Sequence, residues 1–379
     1  MSTEPTDRRW VRLLNGLSVL AEGSARGQMG TAPKTRVFKE WKLEVHRVLP
    51  RKPEEHALGD DLEVDPNTEF PTPILLVPPL MVRPYVYDLR PDHSMVRFLR
   101  DRGFRVYILD FGVPDEHDQT LRLEHYVFTF LPAAIDAVLR DARAEQLSLV
   151  GYCMGGIFSL LYTAAFHPSV QHGPSAGRTR NLVTIGAPIN FDKMGVLSLA
   201  ARFGHGLVDK VMDRLGNVPS IGAELGFKLM GGTKSVTKWV DLARHLYDDE
   251  YVRGFDAING WVNDLLPYPR DAFKQLVRDV VGQNKLLKRE LQLAGRPIDL
   301  TRIDAPLLAM AGRGDNIATL GSTRAVLESV GSTDKTFAEV PGGHVGVVGG
   351  REARTHVWAR TADWLAPRSL ETSHSAIES

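Results

Sequence analysis

Residues 147–156 read LSLVGYCMGG, an apolar run followed by a cysteine between glycines. The run predicts a buried strand, and the flanking glycines predict a tight strand–turn–helix junction that presents a nucleophile. Small residues are needed there because the turn brings backbone segments close together. In such a junction the N–H of the next residue, Met154, points at the oxyanion that forms during attack on a carbonyl. A lone cysteine is more often a buried structural residue, but this context favours Cys153 as a nucleophile.

Two further motifs supply a base and an acid for this nucleophile. Asp315 follows the apolar run at 306–312 in a glycine-rich turn, and His344 lies in the motif PGGHVG at 341–346. Nucleophile, acid and base occur in this order in triads built on doubly wound sheets. We therefore predict Cys153 as the nucleophile, His344 as the general base and Asp315 as the residue that orients the imidazole.

Strands and helices alternate along most of the chain. Short apolar runs rich in β-branched residues predict strands at 74–77, 105–110, 147–151, 181–186 and 306–312. Helical periodicity is present at 94–102, 123–143, 154–166 and 322–330. Residues 41–50 alternate and predict an antiparallel edge strand. Together with the nucleophile turn, this order predicts an α/β protein with the α/β-hydrolase fold, whose mainly parallel sheet carries helices on both faces.

The alternation stops between residues 191 and 300. This stretch has helical patterns at 235–247 and 270–281 and no convincing strand. We interpret it as a helical lid over the site, and a helical elaboration that only adds core is the alternative. The predicted organisation is an N-terminal segment 1–30, core 31–190, lid or cap 191–300, core 301–366 and a flexible tail 367–379.

The second oxyanion donor is expected in the loop that follows the strand at 74–77. Pro78 and Pro79 have no N–H to donate. The candidate donors are therefore the next three residues, Leu80, Met81 and Val82.

Four other side chains are candidates for a place in or near the site. Asp110 ends a predicted strand, and we interpret its carboxylate as a cap for the turns beneath the site. His125 lies on a predicted helix and is interpreted as structural. Trp261 and Tyr268 in the insertion are candidates for lining an acyl channel, with a core role as the alternative.

Composition restricts the classes of function. Lys plus Arg and Asp plus Glu both number 46 among 379 residues, and this balance argues against a nucleic-acid-binding surface. The single cysteine excludes an intramolecular disulfide, and the first ten residues lack an apolar signal region. We therefore expect a cytoplasmic protein without a transmembrane segment. No histidine spacing suits a metal and no glycine-rich phosphate loop follows a strand, so no metal or bound cofactor is predicted.

These motifs resemble those of the polyhydroxyalkanoate synthases, which make poly(3-hydroxybutyrate) and related polyesters. The G-x-C-x-G-G box at 151–156 is similar to their cysteine-bearing box, and 77–115 is similar to the segment around their first strands. Residues 283–315 and 340–346 are similar to the region that carries their Asp and His. The resemblance covers about residues 30–366, and the chain is most similar to the short class III catalytic subunit. It departs from the family pattern at Asn316, where His is usual, and at Leu80-Met81-Val82-Arg83-Pro84, where Trp-x-Asn-Lys-Tyr is commoner.

The resemblance implies an acyltransferase that moves a 3-hydroxyacyl group from CoA to Cys153 and then to the hydroxyl of a growing polyester. CoA is then a leaving group and not a bound cofactor. The resemblance also implies a second, non-catalytic subunit, a homo- or hetero-oligomer, and a place at the surface of a polyester granule. Two alternatives stay open: a cysteine-dependent hydrolase of polyester or acyl-CoA thioesters, and a non-catalytic granule-surface binding protein. The intact set Cys153, Asp315 and His344 argues against the second alternative.

Overall fold

A computed structural model describes residues 28–52, 54–55, 69–222, 224 and 240–370, without the side chains of 196–200, 203 and 205. Most of the predicted N-terminal segment 1–30 and of the predicted tail 367–379 lies outside these residues. The described start of the tail forms a 3-10 turn at Ala366–Arg368, and Ser369 after it is buried.

One eight-stranded sheet organises the chain. Its strands are β1 (Lys34–Glu40), β2 (Leu43–Val48), β3 (Ile74–Val77), β4 (Val106–Asp110), β5 (Leu147–Tyr152), β6 (Thr179–Ile185), β7 (Leu307–Gly312) and β8 (Lys335–Val340). Their order across the sheet is β1-β2-β4-β3-β5-β6-β7-β8. Strands β3 to β8 pair in parallel, whereas β2 pairs antiparallel with both β1 and β4. The five predicted inner strands are present, and the antiparallel strand predicted at 41–50 is β2. Its predicted place at the edge is wrong, because the unpredicted strand β1 pairs on its outer side.

Helices cover both faces of this sheet. The longer α-helices are α1 (Met95–Asp101), α2 (Leu131–Ala142), α3 (Met154–Ala165), α4 (Val196–Leu215), α5 (Asp249–Val262), α6 (Arg270–Gln275) and α7 (Ala359–Leu365). Shorter α-helices span Leu123–His125, Lys285–Lys288, Leu320–Arg324, Val326–Ser329 and Gly346–Gly349. Further 3-10 turns lie at Pro84–Tyr87, Glu116–Asp118, Phe191–Lys193 and Leu300–Arg302, and π-helical turns at Tyr126–Phe130, Leu276–Gly282 and Arg354–Trp358.

Strand β3 shows how the two faces are buried. Its side chains alternate, so Leu75 and Val77 join one apolar cluster with residues of α2 and α3. Ile74 and Leu76 join a second cluster with residues of α1 and α7. Each fully buried aliphatic side chain of this kind contributes about 1.5–3 kcal/mol. The continuous apolar runs in the sequence reflect burial on both faces, which is typical of parallel sheets.

Three predicted helices differ from the structure in their continuity, and the one predicted at 270–281 is α6 followed by the π-helical turn Leu276–Gly282. The helix predicted at 123–143 contains the π-helical turn Tyr126–Phe130 before α2. Pro132 lacks the N–H that a regular helix would require at that position, which explains an irregular turn there. The helix predicted at 322–330 is two short helices, Leu320–Arg324 and Val326–Ser329.

The insertion at 191–300 is mainly helical in its described part. Two of its helices, α4 and α5, were not predicted, and the pattern predicted at 235–247 lies partly outside the described residues. The expectation of no strand is wrong in one detail, because Gln292–Leu293 pairs antiparallel with Arg296–Pro297. An isolated bridge also joins Val218 to Tyr268. Whether the insertion acts as a lid stays a prediction.

The strand order brings four loops to one edge of the sheet. Because β3, β5, β7 and β8 run parallel, their carboxyl ends lie on the same side. This is the edge at which parallel sheets hold their ligands. A second short strand pair, Asp88–Arg90 with His93–Ser94, follows β3.

Candidate active site

Cys153 occupies the junction between β5 and α3. Its backbone has φ +52° and ψ −119°, a conformation that residues with a Cβ rarely adopt. The Cys153 N–H donates to the carbonyl oxygen of Ile185 at 2.8 Å, which ties the turn to β6. The thiol is half-buried. Because α3 begins at Met154, the N–H of that residue has no acceptor within the helix and is available to an oxyanion.

The glycines beside Cys153 are required by close backbone contacts. A Cβ added at Gly151 would lie 2.5 Å from the carbonyl oxygen of Gly155, and one added at Gly155 would lie 1.9 Å from the carbonyl oxygen of Val77. Real Cβ contacts are not this short. The nucleophile turn therefore packs directly on the end of β3, where the predicted oxyanion loop begins.

His344 and Asp315 form a buried pair at the same sheet edge. His344 Nδ1 lies 2.8 Å from Asp315 Oδ2, and both side chains are almost fully buried. His344 also hydrogen-bonds the Cys153 side chain. The structure thus brings together all three residues of the predicted triad, with the imidazole between the carboxylate and the sulfur, as such a triad requires.

The turn after β7 fixes the Asp315 carboxylate independently of residue 316. Asp315 Oδ1 accepts hydrogen bonds from the N–H groups of Ile317 and Ala318, each at 2.8 Å. The second oxygen is left for His344. Asn316 is exposed, so this departure from the family pattern leaves the Asp315–His344 pair unchanged.

The charges around the imidazole favour its protonated form. Burial alone lowers the pKa of His344, but the charges of Cys153 and Asp315 and the hydrogen bonds to both raise it to about 10. A cationic imidazole stabilises a thiolate beside it and holds a proton for a leaving group.

The predicted oxyanion loop lies beside the nucleophile turn. Leu80 and Val82 are buried, and Met81 is partly exposed. Within the described residues, none of their three N–H groups donates to another protein group. All three therefore stay candidates for the second donor, next to the N–H of Met154.

Sequence reasoning missed two buried tyrosines that brace the site. The Tyr87 hydroxyl donates to the Val77 carbonyl at 2.8 Å and accepts the N–H of Tyr152 at 3.1 Å. The Tyr152 hydroxyl in turn donates to the carbonyl of His344 at 3.0 Å. These bonds link the end of β3, the end of β5 beside Cys153, and the loop that carries His344. The sequence offers only one signal for them, since Tyr152 adjoins Cys153.

The remaining predicted side chains are placed as follows. Asp110 Oδ1 accepts the N–H of Gly112 at 2.8 Å, which confirms the turn-capping interpretation. His125 Nδ1 accepts the N–H of Arg122 at 2.9 Å, a structural role. Trp261 is buried in the apolar cluster against which Cys153 packs, whereas Tyr268 belongs to the other cluster, which contains Met154.

Comparison with known proteins agrees with this architecture. The family model of the alpha/beta hydrolase fold matches residues 87–350. The crystal structure of a hydrolase from Pseudomonas aeruginosa PA01 is similar with a TM-score of 0.50, at 13% identity over 88% of this chain and 99% of that chain. At that identity the likeness shows the fold alone. The predicted α/β-hydrolase fold is confirmed.

Relatives with similar sequences identify the family more specifically than the fold does. The poly(3-hydroxyalkanoate) polymerase subunit PhaC of Haloferax mediterranei is 33% identical over 353 residues, 92% of this chain and 67% of the relative. This chain belongs to the poly(3-hydroxyalkanoate) polymerase family. The PhaC subunit of Thiocystis violacea is 29% identical over 90% of both chains. The resemblance predicted from the motifs is therefore confirmed.

In this polymerase-family chain, the insertion is attached to the oxyanion loop. Asp264 Oδ2 accepts hydrogen bonds from Arg83 Nε at 2.8 Å and from the Tyr85 hydroxyl. The N–H of Leu266 donates to the carbonyl of Met81 at 2.9 Å. Asp264 thus holds the residues that follow the three candidate donors. Sequence reasoning did not find Asp264, because its partners lie far away in the chain.

The described part of this polymerase-family chain contains neither a metal-binding cluster nor a membrane-spanning helix. No three or more His, Cys, Asp or Glu side chains are grouped as a metal site would require. None of the helices in that part of the chain has the length and apolarity of a membrane span.

Proposed function

We propose that this protein polymerises 3-hydroxyacyl-CoA thioesters into polyhydroxyalkanoate through an acyl group carried on Cys153. The observation that carries the proposal is the His344–Asp315 pair, 2.8 Å apart and hydrogen-bonded to Cys153, in a chain that belongs to the polymerase family. An activated thiolate exchanges readily with a thioester, since the two thioesters are similar in energy.

The first half of the proposed reaction loads the enzyme. The Cys153 thiolate attacks the thioester carbonyl carbon, and the negative oxygen is stabilised by the N–H of Met154 and one N–H of the oxyanion loop. The intermediate collapses by breaking the bond to the CoA sulfur, and protonated His344 gives that sulfur its proton. The products are acyl-Cys153 and free CoA.

The second half extends the polymer. Neutral His344 takes the proton from the hydroxyl at the end of the growing chain, and that oxygen attacks the acyl-Cys153 carbonyl. The carbon–sulfur bond breaks, Cys153 leaves as the thiolate, and the chain gains one ester unit. Asp315 holds the imidazole orientation throughout. Water attacking the same acyl group would give a free hydroxy acid, so exclusion of water decides between polymerase and hydrolase.

The direct test separates the products. Purified protein is incubated with 3-hydroxybutyryl-CoA, released CoA is counted with a thiol reagent, and polymer is separated from free acid. We expect CoA release matched by ester units in polymer. Release matched by free 3-hydroxybutyrate would identify a hydrolase. The proposal would be overturned, in favour of a binding role, if no CoA were released under any of three conditions. These are 3-hydroxybutyryl-CoA alone, longer 3-hydroxyacyl-CoAs, and either substrate with a partner subunit added.

The proposal extends to assembly and location. We infer a polyester-bound state with a second, non-catalytic subunit, at the surface of a polyester granule. Co-purification of the tagged protein with polyester from producing cells checks this part. Recovery of the protein only in the polyester-free fraction would contradict the proposed location but would not contradict the proposed reaction.

A conservative change at Asp264 should slow loading of the enzyme. Asp264→Asn weakens the bonds to Arg83 and Tyr85 and loosens the loop that carries the second oxyanion donor. We expect roughly tenfold slower CoA release, because small displacements of catalytic groups have large effects on rate. The free energy of unfolding should fall by only about 1 kcal/mol, since the pair is partly exposed. Initial rates and urea denaturation measure both quantities.

Asp271→Asn is the matched control. Asp271, like Asp264, is an aspartate of the insertion that pairs with an arginine at 2.8 Å, in this case its neighbour Arg270. The side chains of the two aspartates are equally exposed. Asp271 does not hydrogen-bond the oxyanion loop. Equal rate losses in the two variants would show that Asp264 acts through general stability and not through the loop.

A further inference from the structure

Tyr268 has a buried hydroxyl that the described protein does not satisfy. The side chain is 3% exposed, and among the described residues no group hydrogen-bonds the phenolic oxygen. Buried polar atoms nearly always have a partner, because leaving one unpaired costs free energy. The Tyr268 hydroxyl therefore has a hydrogen bond to offer to a ligand or to a buried water.

The position of Tyr268 is fixed on both sides. Its backbone N–H and carbonyl pair with Val218, each at 2.9 Å. Its ring packs edge-to-face on Phe273 with centroids 5.6 Å apart. Two residues earlier, Leu266 is bonded to the Met81 carbonyl of the oxyanion loop. The backbone of Tyr268 is thus fixed two residues from a hydrogen bond to that loop, and its buried ring is held by Phe273.

Tyr268 is buried in the apolar cluster that reaches the nucleophile turn from the side of α3, whereas Cys153 itself packs against the second cluster. Tyr268, Leu80 and Met154 belong to one apolar cluster. Burial raises the pKa of the Tyr268 phenol well above its usual range, and the nearby Tyr126 and Cys153 raise it further. Tyr268 therefore stays protonated near Cys153 and keeps a hydrogen to donate.

We propose that Tyr268 is a specificity-determining residue that hydrogen-bonds the 3-hydroxyl group of the acyl chain delivered to Cys153. This inference rests on the proposed function, since it concerns the acyl group loaded there. An acyl chain with a hydroxyl satisfies the buried phenol, whereas a plain acyl chain leaves it unpaired. Sites that pair a substrate hydroxyl discriminate against the analogue that lacks it.

The test compares 3-hydroxybutyryl-CoA with butyryl-CoA, which differs only by the hydroxyl. The first equivalent of CoA released per protein measures loading of Cys153 for both substrates. We expect the native protein to load the hydroxyacyl group roughly tenfold faster, as one additional neutral hydrogen bond allows. In Tyr268→Phe the hydroxyacyl rate should fall to the butyryl rate, while the butyryl rate stays the same or rises.

Tyr162→Phe is the control. Tyr162 is a buried tyrosine of the same apolar cluster, but its hydroxyl donates to the Ser175 carbonyl at 3.1 Å. Its loss should leave the ratio of the two rates unchanged. A Tyr268→Phe protein with the native ratio would overturn the proposal and assign the phenol to a buried water. Equal slowing of both substrates would also overturn it, in favour of a structural role.

A binding measurement keeps this inference separate from the proposed function. If the native protein loads neither substrate, the proposed function fails, and calorimetry with Cys153→Ala still compares the affinities of the two thioesters. A preference for the hydroxyacyl thioester that disappears in Cys153→Ala/Tyr268→Phe would support the role of Tyr268 even then. A preference that survives, or no preference at all, would refute it.

Discussion

Cys153→Ala should lower the rate of CoA release by on the order of 10⁴ or more, because removal of a catalytic nucleophile eliminates the covalent route. Intact-mass measurement should find an acyl adduct on the native protein and none on the variant. Cys153→Ser is the finer test. Its hydroxyl is a poorer nucleophile, so we expect a loss of at least about 10² with the fold unchanged. A Cys153→Ala protein that retained native activity would exclude every mechanism through this sulfur.

The same substitution should change the titration of His344. The charge of Cys153 is the largest cause that raises this pKa to about 10, against burial, which lowers it. Without the sulfur the pKa should fall, which NMR titration of the imidazole protons measures. A folded-state pKa above the unfolded value stabilises the protein below the unfolded pKa, 6.5, and that stability is lost as pH rises toward 10. Cys153→Ala should therefore flatten the decline of unfolding free energy across this window. An unchanged titration would mean that sulfur and imidazole are not coupled.

The nucleophile turn could be predicted from sequence because its constraints are local. A continuous apolar run predicts β5. Gly151 and Gly155 are required because close backbone contacts leave no room for a Cβ at either position. The positions of Asp315 and His344 followed from the order of strands and from chemistry. Their pairing was predicted from the order of triad residues along the chain, and the fold supplies its geometry, 2.8 Å across a separation of 29 residues.

The insertion was less predictable for a physical reason. Helix α4 contains Gly204 and Gly206, and α5 contains Gly254 and Gly260, residues that weaken a helical pattern. Tertiary packing and the Asp248 cap, which accepts the N–H of Tyr251 at 3.0 Å, compensate in α5. The hydropathy pattern of the sequence does not show that tertiary packing will stabilise a helix that contains glycines.

Long-range polar contacts were the least predictable part of the site. Asp264 and Arg83 are 181 residues apart, and Tyr152 and His344 are 192 residues apart. Neither pair has a spacing or composition that marks it. The sequence therefore predicts the members of the triad, while the residues outside the triad that hold it in position emerge only from the structure.

Gly155→Ala should give the largest loss of stability among single-methyl additions near the site. The new Cβ would lie 1.9 Å from the carbonyl oxygen of Val77 and 2.7 Å from its carbonyl carbon. Both are backbone atoms of the end of β3, which β4 and β5 hold on either side. Relief requires α3 to move away from the sheet. Overpacking of this kind costs about 3 kcal/mol, and here we expect that amount or more in the free energy of unfolding.

Gly204→Ala provides the matched control for this substitution. Gly204 lies in α4, and no described atom comes within 4 Å of a Cβ added there. The alanine should be neutral or should stabilise the helix by up to about 1 kcal/mol. Urea denaturation followed by tryptophan fluorescence compares the two variants with the native protein. Because the same movement of α3 separates Cys153 from the oxyanion loop, Gly155→Ala protein that still folds should also release CoA slowly. Native stability with native activity in Gly155→Ala would show that the nucleophile turn does not pack on β3 as described.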